Sequence, residues 1–200
     1  MQKIMFFGDS ICAGQYISIH KGWVSRLSKS LYEQAVVLNS SVNGRTTRQA
    51  LEDMPYHIQE QYPDMLVIQF GMNDCNYWTS DKGQPRVSIK AFEANLEEII
   101  KRAFAFNTRK IFLNTNHPTG LTKSKIKYTE IVYEDSNKQY NDIIRKVAKN
   151  NDVILNDIEL EFINNNNLEN LLLPDLLHPS ELGHELYFNI INPVIKKEIY

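Results

Sequence analysis

A serine, an aspartate and a histidine carry the strongest chemical signal in this chain: Ser10, Asp175 and His178. A serine hydroxyl is a poor nucleophile until a base takes its proton and a third group holds that base. His178 is the base such a serine needs, and Asp175, three residues earlier, can reach round to the other ring nitrogen. Ser, then Asp, then His is one of several chain orders in which this geometry occurs. Acyl transfer also needs donors for the oxygen that gains charge. Gly44 offers a backbone N–H with no side chain in the way, Asn73 a side-chain amide, and Ser10 its own N–H. Together these groups suit cleavage of an ester through an acyl-enzyme. Activity should rise as histidine loses its proton, because only the neutral imidazole is a base.

The elements that would position them can be read from the apolar pattern. Short apolar runs at 3–7, 35–39, 65–70, 110–113 and 152–155 are rich in Val, Ile, Leu and Phe without strict alternation. Such runs suit strands buried on both faces of a parallel sheet. Between them, 23–33, 88–106, 136–150 and 180–199 show helical spacing, the last expected to bend or break near Pro193. Strand and helix in alternation predict an α/β fold with a five-stranded parallel sheet, in one domain spanning 1–200. A parallel sheet gathers its chemistry at the carboxyl ends of its strands. Gly8-Asp9-Ser10, Gly44, Gly71-Met72-Asn73-Asp74 and His117-Pro118 all follow predicted strands, and the fifth strand leads on to Asp175 and His178.

Composition narrows the classes. At 200 residues, 42% hydrophobic and 23% charged, the chain is neither disordered nor collagen-like. A net charge of −2 shows none of the basic excess usual in nucleic-acid-binding proteins, and no basic stripe stands out. No apolar stretch is long enough for a signal peptide or a membrane span, and no His or Cys pair has metal spacing, so no cofactor is expected. With two cysteines, Cys12 and Cys75, the reading is a cytoplasmic protein with free thiols. Both thiols follow motif residues; they either approach each other or stand apart as small reduced hydrophobes.

The motifs also match a family. Gly8-Asp9-Ser10, the lone Gly44, Gly71-x-Asn73-Asp74 and Asp175-x-x-His178 resemble, in order, the four sequence blocks of the SGNH, or GDSL, hydrolases. Asp-x-x-His alone arises by chance in about a quarter of chains this long, Gly-Asp-Ser in only about a few per cent. Ile11 stands where the family's name-giving motif has leucine, an apolar exchange. The resemblance implies a three-layer α/β/α sandwich related to flavodoxin, and hydrolysis of esters or thioesters. It implies Ser10 as nucleophile, Asp175 and His178 as its partners, and Ser10, Gly44 and Asn73 as oxyanion donors. Asp74 is read as structural, since a carboxylate there would repel the charge being stabilised.

Two longer loops, 76–87 and 119–135, are expected to shape specificity. Aromatic faces suit sugar rings and cations suit carboxylates. Tyr77, Trp78 and Arg86, with Asp9 and His117, are the expected substrate contacts. Lys123, Lys125 and Lys127 suit either an anion or plain solvation. The substrate expected is a small acyl ester, an O-acetylated and possibly acidic carbohydrate. The competing readings are an acyl-CoA thioesterase or lysophospholipase, and a non-catalytic carbohydrate-binding protein. A flavin carrier is disfavoured, because Asp9 would repel a phosphate at the first loop.

Overall fold

The five apolar runs do form strands, and all of them pair in parallel. In this computed structural model, which describes residues 1–165 and 167–199, they are β1 (Gln2–Gly8), β2 (Ala35–Asn39), β3 (Met65–Gln69), β4 (Lys110–Asn114) and β5 (Ile154–Asn156). The sheet order is β2-β1-β3-β4-β5. Register is fixed by pairs such as Ile4 with Met65, Met65 with Lys110 and Phe112 with Ile154. The chain moves outward from β1 on one side and then on the other, so a crevice opens above the carboxyl ends of β1 and β3. The fifth strand lies two residues later than the sequence pattern placed its start, because Asp152 takes a left-handed turn (φ 52°) before the chain can extend.

Successive residues of β1 point to opposite faces. Ile4 and Phe6 enter one core with Trp23 and Leu27 of α2 (Trp23–Ser30), Phe162 of α6 (Ile158–Asn164) and Tyr187, Ile191 and Ile195 of α8 (Glu181–Glu198). Met5 and Phe7 enter the other with Ala50 and Met54 of α3 (Thr47–Met54), Phe92, Leu96 and Ile99 of α4 (Ile89–Ala105), and Tyr140 and Ile144 of α5 (Tyr133–Asn150). Two short helices, α1 (Ser10–Ala13) and α7 (Leu168–Leu171), complete the set. The result is a three-layer α/β/α sandwich. Cys12 packs in the first core and Cys75 in the second, so the sheet separates two free, buried thiols that do not approach each other.

α8 runs as one helix through Pro193, where the sequence suggested a bend or a break, so the chain does not break there. Proline removes one N–H from the helical ladder, and apolar burial of Ile191 and Ile195 on either side holds the turn together. α3 has no counterpart in the sequence reading. It starts with Thr46 accepting from the Gln49 N–H while the Gln49 side chain accepts from the Thr46 N–H, a reciprocal cap. At the carboxyl ends of β3, β4 and β5 the buried amides of Gln69, Asn114, Asn116 and Asn156 bond to one another. They give the floor of the crevice a polar lining, in which Asn116 Nδ2 and Asn156 Oδ1 are buried without a partner. Among the described residues no helix is long and apolar enough to cross a membrane, and no cluster of His, Cys, Asp and Glu could hold a metal ion.

Candidate active site

Ser10 is the first residue of α1, directly after β1, where Asp9 caps the turn by accepting from the Ile11 N–H at 3.0 Å. Its Oγ lies 3.1 Å from His178 Nε2, and His178 Nδ1 lies 2.7 Å from Asp175 Oδ2. A carboxylate can only accept, so Nδ1 carries the ring proton and Nε2 faces the hydroxyl as an acceptor. The other oxygen of Asp175 accepts from the backbone N–H groups of Leu177 and His178, both at 2.9 Å. Burial works to raise the Asp175 pKa, but these N–H bonds and the His178 ring outweigh it and hold the carboxyl below its usual range. The aspartate therefore stays ionised against the imidazole.

The loop carrying this pair is closed on itself and braced from behind. Leu172 bridges to Pro179, and the Leu173 N–H donates to the His178 carbonyl at 2.8 Å. Gly120 N–H binds the Leu176 carbonyl at 2.8 Å, and His117 Nε2 binds the Leu177 carbonyl at 2.9 Å. Burial pushes the His117 pKa down to about 4, so the ring is neutral. With its Nε2 proton given to a carbonyl, its Nδ1 accepts from the Tyr187 hydroxyl at 2.8 Å. His117 is fully buried and supports the loop; it has no access to a substrate.

Asn73 and Gly44 stand opposite. Gly44 sits at φ +76° with open space where a side chain would be, so the backbone turn, not crowding, requires glycine here. The Asn73 side chain is tethered at both ends: Nδ2 donates to Asp9 Oδ2 at 3.2 Å, and Arg86 donates to its Oδ1 at 3.2 Å. One amide hydrogen is left for another acceptor. Asp9 is fully buried and touches the amide, not solvent, which corrects its expected place among the substrate contacts. Burial, reinforced by the Asp74 charge, lifts its pKa to about 7 against the bonds from Ile11 and Asn73. Asp74 is also buried and raised, to about 6, with Thr47 on its Oδ1 through N–H (2.9 Å) and hydroxyl (2.5 Å). It fastens the β3 loop to α3.

Ser10, Gly44, Asn73 and His178 line one cavity of about 310 Å³, together with Ile11, Gln15, Asn43, Met72, Asn76, Tyr133 and Leu177. None of those last seven was named as a site residue from the sequence, because lining a cavity is a matter of direction and the chain records only order. Tyr16 was missed as well. It is 69% exposed, sits at a left-handed φ of 70°, and sets its ring edge-on to His178 at 5.0 Å. Tyr77 is not in this cavity: it bridges to Pro85 and packs on the core of α4 and α5. Trp78 and Arg86 line a neighbouring hollow, stacked on each other at 4.3 Å.

Comparison with known proteins shows where the chain belongs. Residues 6–186 match the model of the GDSL-like lipase/acylhydrolase family. An arylesterase of Vibrio mimicus is 27% identical over 181 residues, covering 89% of this chain and 80% of its own. The crystal structure of a lipase/acylhydrolase from Enterococcus faecalis superposes with a TM-score of 0.84 at 23% identity, covering 100% of this chain and 98% of that one. The acetyl xylan esterase AlAXEase superposes with a TM-score of 0.78 at 25% identity, over 96% and 99% of the two chains. A family match over nearly the whole chain, on a sheet of matching topology, settles the relationship: this chain belongs to the GDSL-like lipase/acylhydrolase family and is a hydrolase of ester bonds.

Proposed function

We propose that the chain acts as one serine-esterase domain with Ser10 as nucleophile, His178 as general base and acid, and Asp175 as the group that orients it. The observation that carries this reading is the unbroken line of hydrogen bonds from Asp175 through His178 to Ser10, ending in a cavity that Gly44 and Asn73 also line. As Ser10 Oγ attacks the ester carbon, His178 Nε2 takes its proton. The carbonyl oxygen gains charge and accepts from the N–H groups of Ser10 and Gly44 and from the remaining amide hydrogen of Asn73. His178 then protonates the departing alcohol, and a water repeats the sequence to release the acid. We take the acyl group to be small and the alcohol to be a carbohydrate, with acetate as a product. The modest cavity supports the first, and the acetyl xylan esterase neighbour supports the second. We also place the enzyme in the reducing cytoplasm, a reading that two separated free thiols support.

The test is release of p-nitrophenol from its acetate, butyrate and palmitate by wild type and by folded Ser10→Ala. Loss of the nucleophile should cost several orders of magnitude in kcat, with acetate preferred in the wild type. Equal rates in the two proteins would remove Ser10 from the chemistry, and a preference for palmitate would replace the acetyl ester by a long-chain ester or thioester.

A further inference from the structure

Beside the Ser10 cavity lies a second one of about 440 Å³, walled by Arg48 and Gln49 of α3 and by Trp78, Asp81, Gln84 and Arg86 of the 76–87 segment. The two are neighbours through a single side chain. Arg86 lines the second cavity and donates to the Asn73 amide of the first. We infer that this second cavity is the site for the alcohol half of the ester, and that it takes a polyhydroxylated ring, that is, a saccharide unit, with the acyl group reaching past Arg86 to Ser10. The inference deepens the esterase reading above and rests on it.

The chemistry of the walls carries the argument. Trp78 is 54% exposed, an unusual position for so large an aromatic surface unless something covers it. Arg86 lies over its ring at 4.3 Å, and both side chains line the hollow. Around it stand two amides, one carboxylate and two guanidinium groups, which supply donors and acceptors at several angles. A saccharide presents the matching surface, an apolar ring face and a rim of hydroxyls, whereas an alkyl alcohol could use only the indole. The platform is also held in place before anything binds. Tyr77 bridges to Pro85, the Arg86 N–H donates to the Asn76 carbonyl at 2.9 Å, and the Val87 N–H to the Asp74 carbonyl at 3.2 Å. A preordered site loses little freedom on binding.

The chain's two tryptophans give a direct readout. Trp23 is fully buried with its Nε1 donating to the Ile11 carbonyl, so Trp78 is the one that answers to solvent and ligand. Ser10→Ala protein, which cannot turn over ester by the proposed route, is titrated with xylotriose, cellotriose and chitotriose while tryptophan emission is followed. The expected result is a saturable blue shift with at least one of them, weakened about fivefold or more by adding Gln84→Ala. In parallel, the ratio of kcat/KM for an acetylated trisaccharide to that for p-nitrophenyl acetate should fall about tenfold in Trp78→Leu. No saturable shift with any trisaccharide, or a ratio that Trp78→Leu leaves unchanged, would overturn the saccharide site. If Ser10→Ala abolishes p-nitrophenyl acetate hydrolysis at the same time, the esterase reading survives that failure. If Ser10→Ala hydrolyses normally, the esterase reading fails, and the titration still decides what the cavity binds.

Discussion

Arg86→Met tests how the Asn73 amide is held. Met matches the length of the arginine stem and keeps apolar contact with Trp78, but removes the N–H that donates to Asn73 Oδ1 at 3.2 Å. A hydrogen bond to a charged group contributes about 1.5–3 kcal/mol. This one is long and partly solvated, so the lower end applies, and about 1.4 kcal/mol of it is a factor of ten in rate. The ceiling is set by losing the donor itself: Asn73→Ala should cost about 10²–10³ in kcat. With Arg86 gone, the bond from Nδ2 to Asp9 still restrains one end of the amide. Arg86→Met should therefore fall between wild type and Asn73→Ala, near a tenfold loss in kcat. KM for p-nitrophenyl acetate should barely move, because the oxyanion exists only in the transition state. Steady-state kinetics on the three proteins, with circular dichroism to confirm folding, gives the comparison. A full rate in Arg86→Met, or a loss confined to KM, would refute the tether argument.

Other perturbations follow from the same contacts. Asp175→Asn keeps an acceptor for the backbone N–H groups of Leu177 and His178 but sets an amide N–H against His178 Nδ1. The ring must then turn its proton toward Ser10, and kcat should fall by about 10⁴ with little change in Tm. Asp9 is protonated more readily folded than unfolded, from 3.8 to about 7, so between those values the folded state binds the extra proton. Stability should accordingly decline as pH rises from about 4 to about 7 and level off above, with Asp74 adding to the same slope. Urea midpoints across that range would show it, and Asp9→Asn should flatten the curve. Gly71→Ala would place a methyl carbon 2.4 Å from Asn116 Nδ2 at a φ of +132°. Crowding and strain together should cost about 3 kcal/mol or more, read as a Tm lower by about 10 °C. Finally, both thiols should stay silent to Ellman's reagent in the native protein and react on unfolding, since burial shields each and raises its pKa.

The strands were legible because a parallel sheet needs apolar side chains on both faces, and runs such as Met65–Gln69 have nowhere else to go. The residues brought to one cavity, Ser10, Gly44, Asn73 and His178, were legible for a related reason: each falls in a loop at the same end of that sheet. α3 was not, although Thr46 and Gln49 spell its cap, because its apolar face is short: Ala50 and Met54 are fully buried and Leu51 packs beside them, with polar residues elsewhere in the helix. Asp9 and His117 were placed at the substrate on position alone. Chain position put them at the right end of the sheet, and burial then turned both inward, one to fix an amide and the other to brace a loop. Trp78 and Arg86 line a cavity beside the one that holds Ser10, and the bridge from Tyr77 to Pro85 that helps to set this segment is not revealed by any periodicity.

Ser10 and His178 stand 168 positions apart and still meet at 3.1 Å. During synthesis the serine is made 168 residues before the histidine proposed as its base. At roughly 5–20 residues per second that is a delay of order ten seconds or more. His178 also depends on α8 being seated, because Ser180, which opens that helix, donates its N–H to the Leu171 carbonyl. On the proposed mechanism, a nascent chain that has not yet reached His178 should leave esters in its vicinity untouched. Turnover by that mechanism should report that α8 has docked, which makes a chromogenic ester a convenient clock for refolding.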